Sequence, residues 1–191
     1  MSSLLTDTVE VRGDVSLLVL DRSGNPVVDP YQAFADPDFA RHQLPRFEDG
    51  RLDLSRNMVV NNGRQALAYL IGGKDLGTSN MVITSVSWGT YDEAPRFTDT
   101  TLSPQPGATA GGENEIKYDG TNRRKAITSV DWPVPFVTRF ECLLGPDECN
   151  GYTLREMGLW TAGGGLFARK ALVPIVKTSD LSLSFIWSIR C

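Results

Sequence analysis

A mainly β fold, an antiparallel β-sandwich-like module with one short helix, is what this sequence predicts, and three observations carry the prediction. Residues 181–190, LSLSFIWSIR, place Leu181, Leu183, Phe185, Trp187 and Ile189 on odd positions and Ser182, Ser184 and Ser188 on even ones. That is the period of two of a strand with one buried face, broken only at Ile186. The segments GPDECNG, TAGGG and KTSD between the last strands are tight turns, which join antiparallel neighbours. The 191 residues include 18 Gly and 11 Pro, a supply of turn formers that favours many short elements over long helices. The length is enough for a real core. The chain divides into residues 1–56, a hairpin and extended N-terminal arm, and residues 57–191, the sandwich-like module.

Along the chain, VSLLVL at 15–20 followed by DRSGNP reads as a strand and turn, with Pro26 to Val28 starting the return strand. Residues 29–57 are rich in Pro, Asp and Arg, with isolated anchors such as Tyr31, Phe34 and Phe47. They predict an extended segment with one helical turn at 31–41, lying either on a neighbouring subunit or along its own domain. NMVVNNGRQALAYLIGG, 57–73, predicts the one helix, at about 58–71. Ala66, Leu67, Leu70 and Ile71 recur at helical spacing, Asn61 or Asn62 caps the start, and Gly72 with Gly73 stops it. GGKDLGTS lacks the spacing of a phosphate loop and reads as a turn. A strand is predicted at 81–88, a loop between 103 and 115, and further strands near 124–132, 135–144, 152–160, 165–175 and 181–190.

The chemistry of the sequence is sparse. A net charge of −4, with Arg123, Arg124 and Lys125 as the only basic cluster, argues against nucleic acid as a partner. No apolar run is long enough for a membrane span, and MSSLLTDTVEVRGD does not read as a secretory signal. Three cysteines, Cys142, Cys149 and Cys191, and the single His42 lack the paired spacings of a zinc site, so neither a metal nor a cofactor is expected. There is no GxSxG elbow, and nothing near Cys142 or Cys149 would activate a thiol toward His42. Among the acids, Asp92 with Glu93 and Glu141 with Glu156 are weighed as catalytic pairs. Glu156, in TLREMGLW, reads best as a buried acid held by an arginine for structure. Arg12-Gly13-Asp14 spells an integrin-binding tripeptide but simply enters the first strand. No catalytic residue is assigned, and the chain reads as a non-enzyme. Trp88, Trp132 and Trp160 would supply stacking faces if the module instead bound carbohydrate, although strand aromatics are more often core.

The stretch VVNNGRQALAYLIGG, a strand closing on WGT, then FTDTTLSP, and finally NGYTLREMGLW with GGGLFARKALVPIVKTSDLSLSFIWSI resembles the collar, tail-fibre and neck-appendage structural proteins of tailed bacteriophages. Its most specific piece runs from NG-x-x-x-x-E through GL and GxLFAR to PIxKT. The resemblance covers residues 57 to 190, and the first 56 match no such pattern. It implies a virion subunit that assembles as a trimer or higher ring with itself and with other tail or neck proteins, and it implies no reaction. On a particle exposed to oxidising surroundings, an intersubunit disulfide among Cys142, Cys149 and Cys191 is expected. Cys191, with Cys149 in its polar turn, is the favoured pair, and three reduced thiols are the alternative.

Overall fold

The computed structural model describes residues 11–29, 44–72, 78–91, 93–103 and 115–190. The helical turn expected at 31–41, His42, Asp92, most of the loop expected at 103–115, and Cys191 lie outside them. The elements run β1 (Arg12–Asp21), β2 (Leu52–Val59), α1 (Asn61–Ile71), a 3-10 turn (Thr78–Met81), β3 (Ile83–Gly89), β4 (Lys125–Ala126), β5 (Ser129–Val134), β6 (Val137–Leu144), β7 (Thr153–Thr161), β8 (Leu166–Val176) and β9 (Leu181–Arg190). Every strand pairing is antiparallel, in the order β4-β3-β7-β8-β2-β1-β9-β6-β5.

The fold is mainly β with one short helix, but its strands form one curled nine-stranded sheet, a half-barrel, where two stacked sheets were expected. The strand responsible is β2, which pairs with β1 through its first part and with β8 through Met58 and Val59. Between the pairs Asp14–Arg56 and Ser16–Asp53, two residues of β2 stand opposite one of β1. Ser55 there has a φ of 64°, in the left-handed region. Such a bulge bends the strand and increases its twist, which carries the sheet around. It also explains why this strand is hard to read. Leu52 and Leu54 are buried on even positions and Val59 on an odd one, so the alternation changes phase inside eight residues.

The core lies within the curl. Val15, Leu17 and Val19 of β1, Leu52 and Leu54 of β2, Val86 and Trp88 of β3, and Leu183, Phe185 and Trp187 of β9 are each at most 3% exposed. Trp88 and Phe185 meet with ring centroids 5.7 Å apart, which joins the two limbs of the sheet. The β9 residues read as core-facing from their period, Leu183, Phe185, Trp187 and Ile189, are all buried. β1 is a central strand, paired with β9 from Arg12 to Asp21 on one side and with β2 on the other. Where a return strand was expected at 26–28, the bridge Leu20–Pro26 forms and the Val27 amide donates to the Val19 carbonyl at 2.9 Å, but no strand is built among the described residues, and Val28 is exposed.

Helix α1 begins later than expected because residues 58 and 59 still belong to β2. Its N-cap is Val60, without a side-chain cap, so neither Asn61 nor Asn62 plays that part. The Asn61 amide instead donates to the carbonyl of Phe97 at 2.8 Å. Gly63 and Ala66 are its buried residues, and Gly72 closes it. The helix packs on β8 so closely that a Cβ on Gly63 would stand 2.2 Å from the Phe167 carbonyl oxygen.

Candidate functional site

Two unlike features compete for functional attention, a sealed ionic cluster and an open apolar mouth. The cluster is built on the outward face of β7 and β8. Glu156 and Arg169 are 0% and 2% exposed, and Arg169 Nε donates to Glu156 Oε2 at 2.8 Å. The Ser103 amide donates to both carboxylate oxygens at 3.0 Å. Arg169 further donates to Asp99 Oδ2 at 2.6 Å, to the Glu93 carbonyl at 2.9 Å and to the Ser103 hydroxyl. The arginine expected beside Glu156 is therefore Arg169, and the pair staples the 93–103 segment onto the sheet. Gly89 makes room for it, since a Cβ there would stand 2.5 Å from Glu156 Oε1. Burial pushes the Glu156 carboxyl upward, against the Ser103 amide and Arg169, which pull it down. A carboxylate without exposed surface, whose oxygens are held by an amide and a guanidinium, is placed for structure. Glu141, its weighed partner, lies instead on β6, accepting from Ser184 and Ser129.

The mouth lies where the half-barrel fails to close. Strand β5 terminates one side of the sheet, and all six of its residues are exposed, among them Val130, Trp132 and Val134. Beside it runs a groove of about 390 Å³ with Phe140, Phe167 and Ile189 in its floor, rimmed by Leu70 of α1, Val82 and Trp132. The rim is open to solvent: Trp132 is 67% exposed, Val82 54% and Leu70 43%. Ile71 is 87% exposed, so the apolar stripe read from the helix faces the core only through Ala66 and part of Leu67. Among the described residues the outer edge of β5 has no strand partner, and it lies beside contiguous apolar surface.

Other residues singled out by the sequence have structural employment. Trp88 and Trp160 are 0% and 1% exposed, so of the three expected stacking faces only Trp132 reaches solvent. Arg124 stacks over the Trp160 ring, 3.5 Å from its centroid, and pairs with Glu115 through two contacts of 3.0 and 3.1 Å. Lys125 pairs with Glu148, which leaves no free basic triplet. Arg12-Gly13-Asp14 lies in a strand paired on both sides.

Cys149, read from its polar turn as half of the favoured intersubunit pair, is 2% exposed, and Cys142 is 1% exposed. Both are free, and burial pushes each thiol up to about 12. A φ of 54° at Cys149 turns its side chain inward from a turn whose composition is polar. A cross-link to another chain through Cys142 or Cys149 would require that side chain to leave the core. Among the described residues no group of three or more His, Cys, Asp or Glu is placed to hold a metal ion, and no helix is long and apolar enough to cross a membrane.

Compared with protein-family models, with curated proteins and with solved structures, the chain finds no match in any of the three.

Proposed function

We propose that this chain is a non-enzymatic structural subunit of a tailed-phage particle, in the collar, the neck or a tail-fibre attachment, and that it assembles with copies of itself into a trimer or higher ring. The observation that carries the assembly reading is the open mouth. β5 offers a backbone edge with no strand partner among the described residues, and the groove next to it offers a pocket for the apolar side chains of an added strand. Burying Trp132 and Val82 against a neighbour supplies the kind of central aromatic and aliphatic contact on which interfaces depend. The copy is the favoured occupant because homo-oligomers dominate closed symmetric assemblies, and a subunit exposing this surface alone would be prone to association. The assignment to a phage particle rests on the sequence resemblance over residues 57–190.

Light scattering on the purified chain tests the assembly. The parent is expected to be oligomeric, and the Trp132→Lys/Val82→Lys double variant is expected to be monomeric with an unchanged far-UV circular dichroism spectrum. A monomeric parent at high concentration, or a double variant that assembles like the parent, would reject the mouth as the interface. Mass spectrometry of purified particles tests the location, and absence of the chain from them would reject the virion assignment.

A further inference from the structure

A second concavity, remote in chemistry from the apolar mouth, lies on the outer face of β6, β9, β1 and β2 and holds about 460 Å³. The sheet register builds its floor. Arg139 pairs across to Ser188, Ser188 to Asp14 and Asp14 to Arg56, so four strands contribute one row of polar side chains. Arg190, two residues beyond Ser188, reaches back to Asp14 at 3.2 Å. The segment before β2 closes one side with Arg51, which donates to the Ser16 hydroxyl at 3.3 Å and lies 5.2 Å from the centroid of Phe47. Four guanidiniums, of Arg51, Arg56, Arg139 and Arg190, line it with the carboxylates of Asp14 and Asp53, and Asp49 and Asp131 pair with Arg51 and Arg139 at its edge.

Mutual pairing leaves part of this charge unmatched. Arg51 is engaged by Asp49 at 2.7 Å and Arg190 by Asp14. Arg56 is exposed and has no ion-pair partner among the described residues. Arg139 reaches Asp131 only at 3.5 Å. Planar guanidiniums match the paired oxygens of carboxylates and sulfates.

We infer that this concavity binds an acidic sugar unit, its oxyanion held by Arg139 and Arg56 and its hydroxyls by Asp14 and Asp53. The carboxylates make the choice between ligand classes. A densely charged anion such as a polyphosphate would be repelled by Asp14 and Asp53, whereas a sugar carrying one acid group presents O–H donors to them. Exposed Phe47 at the wall offers a surface for the apolar face of the ring.

The test is titration of the 15N-labelled chain, followed by NMR, with sodium glucuronate, with glucose and with sodium sulfate at matched ionic strength. Glucuronate is expected to shift saturably the amides around Arg139, Asp14 and Arg56, sulfate to bind the same place more weakly, and glucose to produce no saturable shift. Arg139→Gln and Arg56→Gln should each weaken glucuronate roughly tenfold, the loss of one charge-assisted hydrogen bond. Arg56 is exposed and has no ion-pair partner among the described residues, so its replacement tests the site without endangering the fold. Glucose binding as well as glucuronate, or glucuronate affinity unmoved in Arg56→Gln, would overturn the proposal. Sulfate binding at least as tight as glucuronate would overturn the saccharide assignment.

Discussion

At the scale of single residues the Glu156–Arg169 pair controls the most, because two ions out of contact with water depend on each other. Removing one partner of such a pair leaves a buried uncompensated charge, at a cost of about 3–5 kcal/mol. Arg169→Met is expected to lower stability by that order at neutral pH and to change its pH dependence. Without the guanidinium, burial of Glu156 acts unopposed by its strongest countercharge, and a carboxyl already raised above 4.5 rises further. A raised folded-state value means that the protonated carboxyl is well accommodated below the unfolded value, and that stability is lost as the pH climbs through the folded value. The stability gap between parent and variant should therefore widen from pH 4 toward pH 7 in denaturant titrations, and a constant gap would show that Glu156 is not the titrating group. The need of Glu156 for an arginine was legible from a lone acid on an apolar strand. Which arginine was not, because Arg169 arrives through the pairing of β7 with β8. Cys149 was misread for a related reason: composition marks GPDECN as a polar turn, but the left-handed backbone at Cys149 decides where the thiol goes.

At the scale of elements, legibility followed periodicity. β9 has one buried apolar row and was readable to its ends, and β6, β7 and β8 lie within about two residues of their expected positions. β2 escaped because its bulge moves the buried residues from even to odd positions. α1 was readable as a helix but not in its partition between core and surface, since Leu70 and Ile71 satisfy the helical spacing and yet face outward. How this helix is seated predicts an inverted response to a common stabilising substitution. Gly→Ala in an exposed helix gains about 1 kcal/mol from propensity. At Gly63 the new Cβ would meet the Phe167 carbonyl oxygen at 2.2 Å and Val59 Cγ1 at 3.0 Å, neither of them the end of a long flexible side chain. Overpacking of this kind costs about 1–3 kcal/mol, so Gly63→Ala should come out destabilised, read as a lower urea midpoint at constant slope. A raised midpoint would mean that α1 can lift from β8.

At the scale of the whole molecule, the composition break near residue 56 does not coincide with a break in the sheet. β1 and the first part of β2 come from the segment that reads as hairpin and arm, yet they stand between β8 and β9, at the centre of the strand order. The sequence conceals this because a polar, proline-rich stretch separates two strands that pair with each other, and local patterning carries no trace of pairing over such a distance. The energetic consequence can be bounded. Val15, Leu17, Val19, Leu52 and Leu54 are all nearly or fully buried, and at about 1.5–3 kcal/mol for each such side chain they contribute roughly 7–15 kcal/mol. That is as large as the entire stability of an ordinary domain, about 5–15 kcal/mol. Their loss would also leave β8 and β9 with unpaired edges and Trp88 and Phe185 without the wall that encloses them. A fragment of residues 57–191 is therefore expected to lack cooperative unfolding and the near-UV circular dichroism of packed Trp88 and Trp187, and to aggregate through its new strand edges. A sigmoidal denaturant transition with a native-like near-UV spectrum for that fragment would show instead that the C-terminal strands close a core of their own.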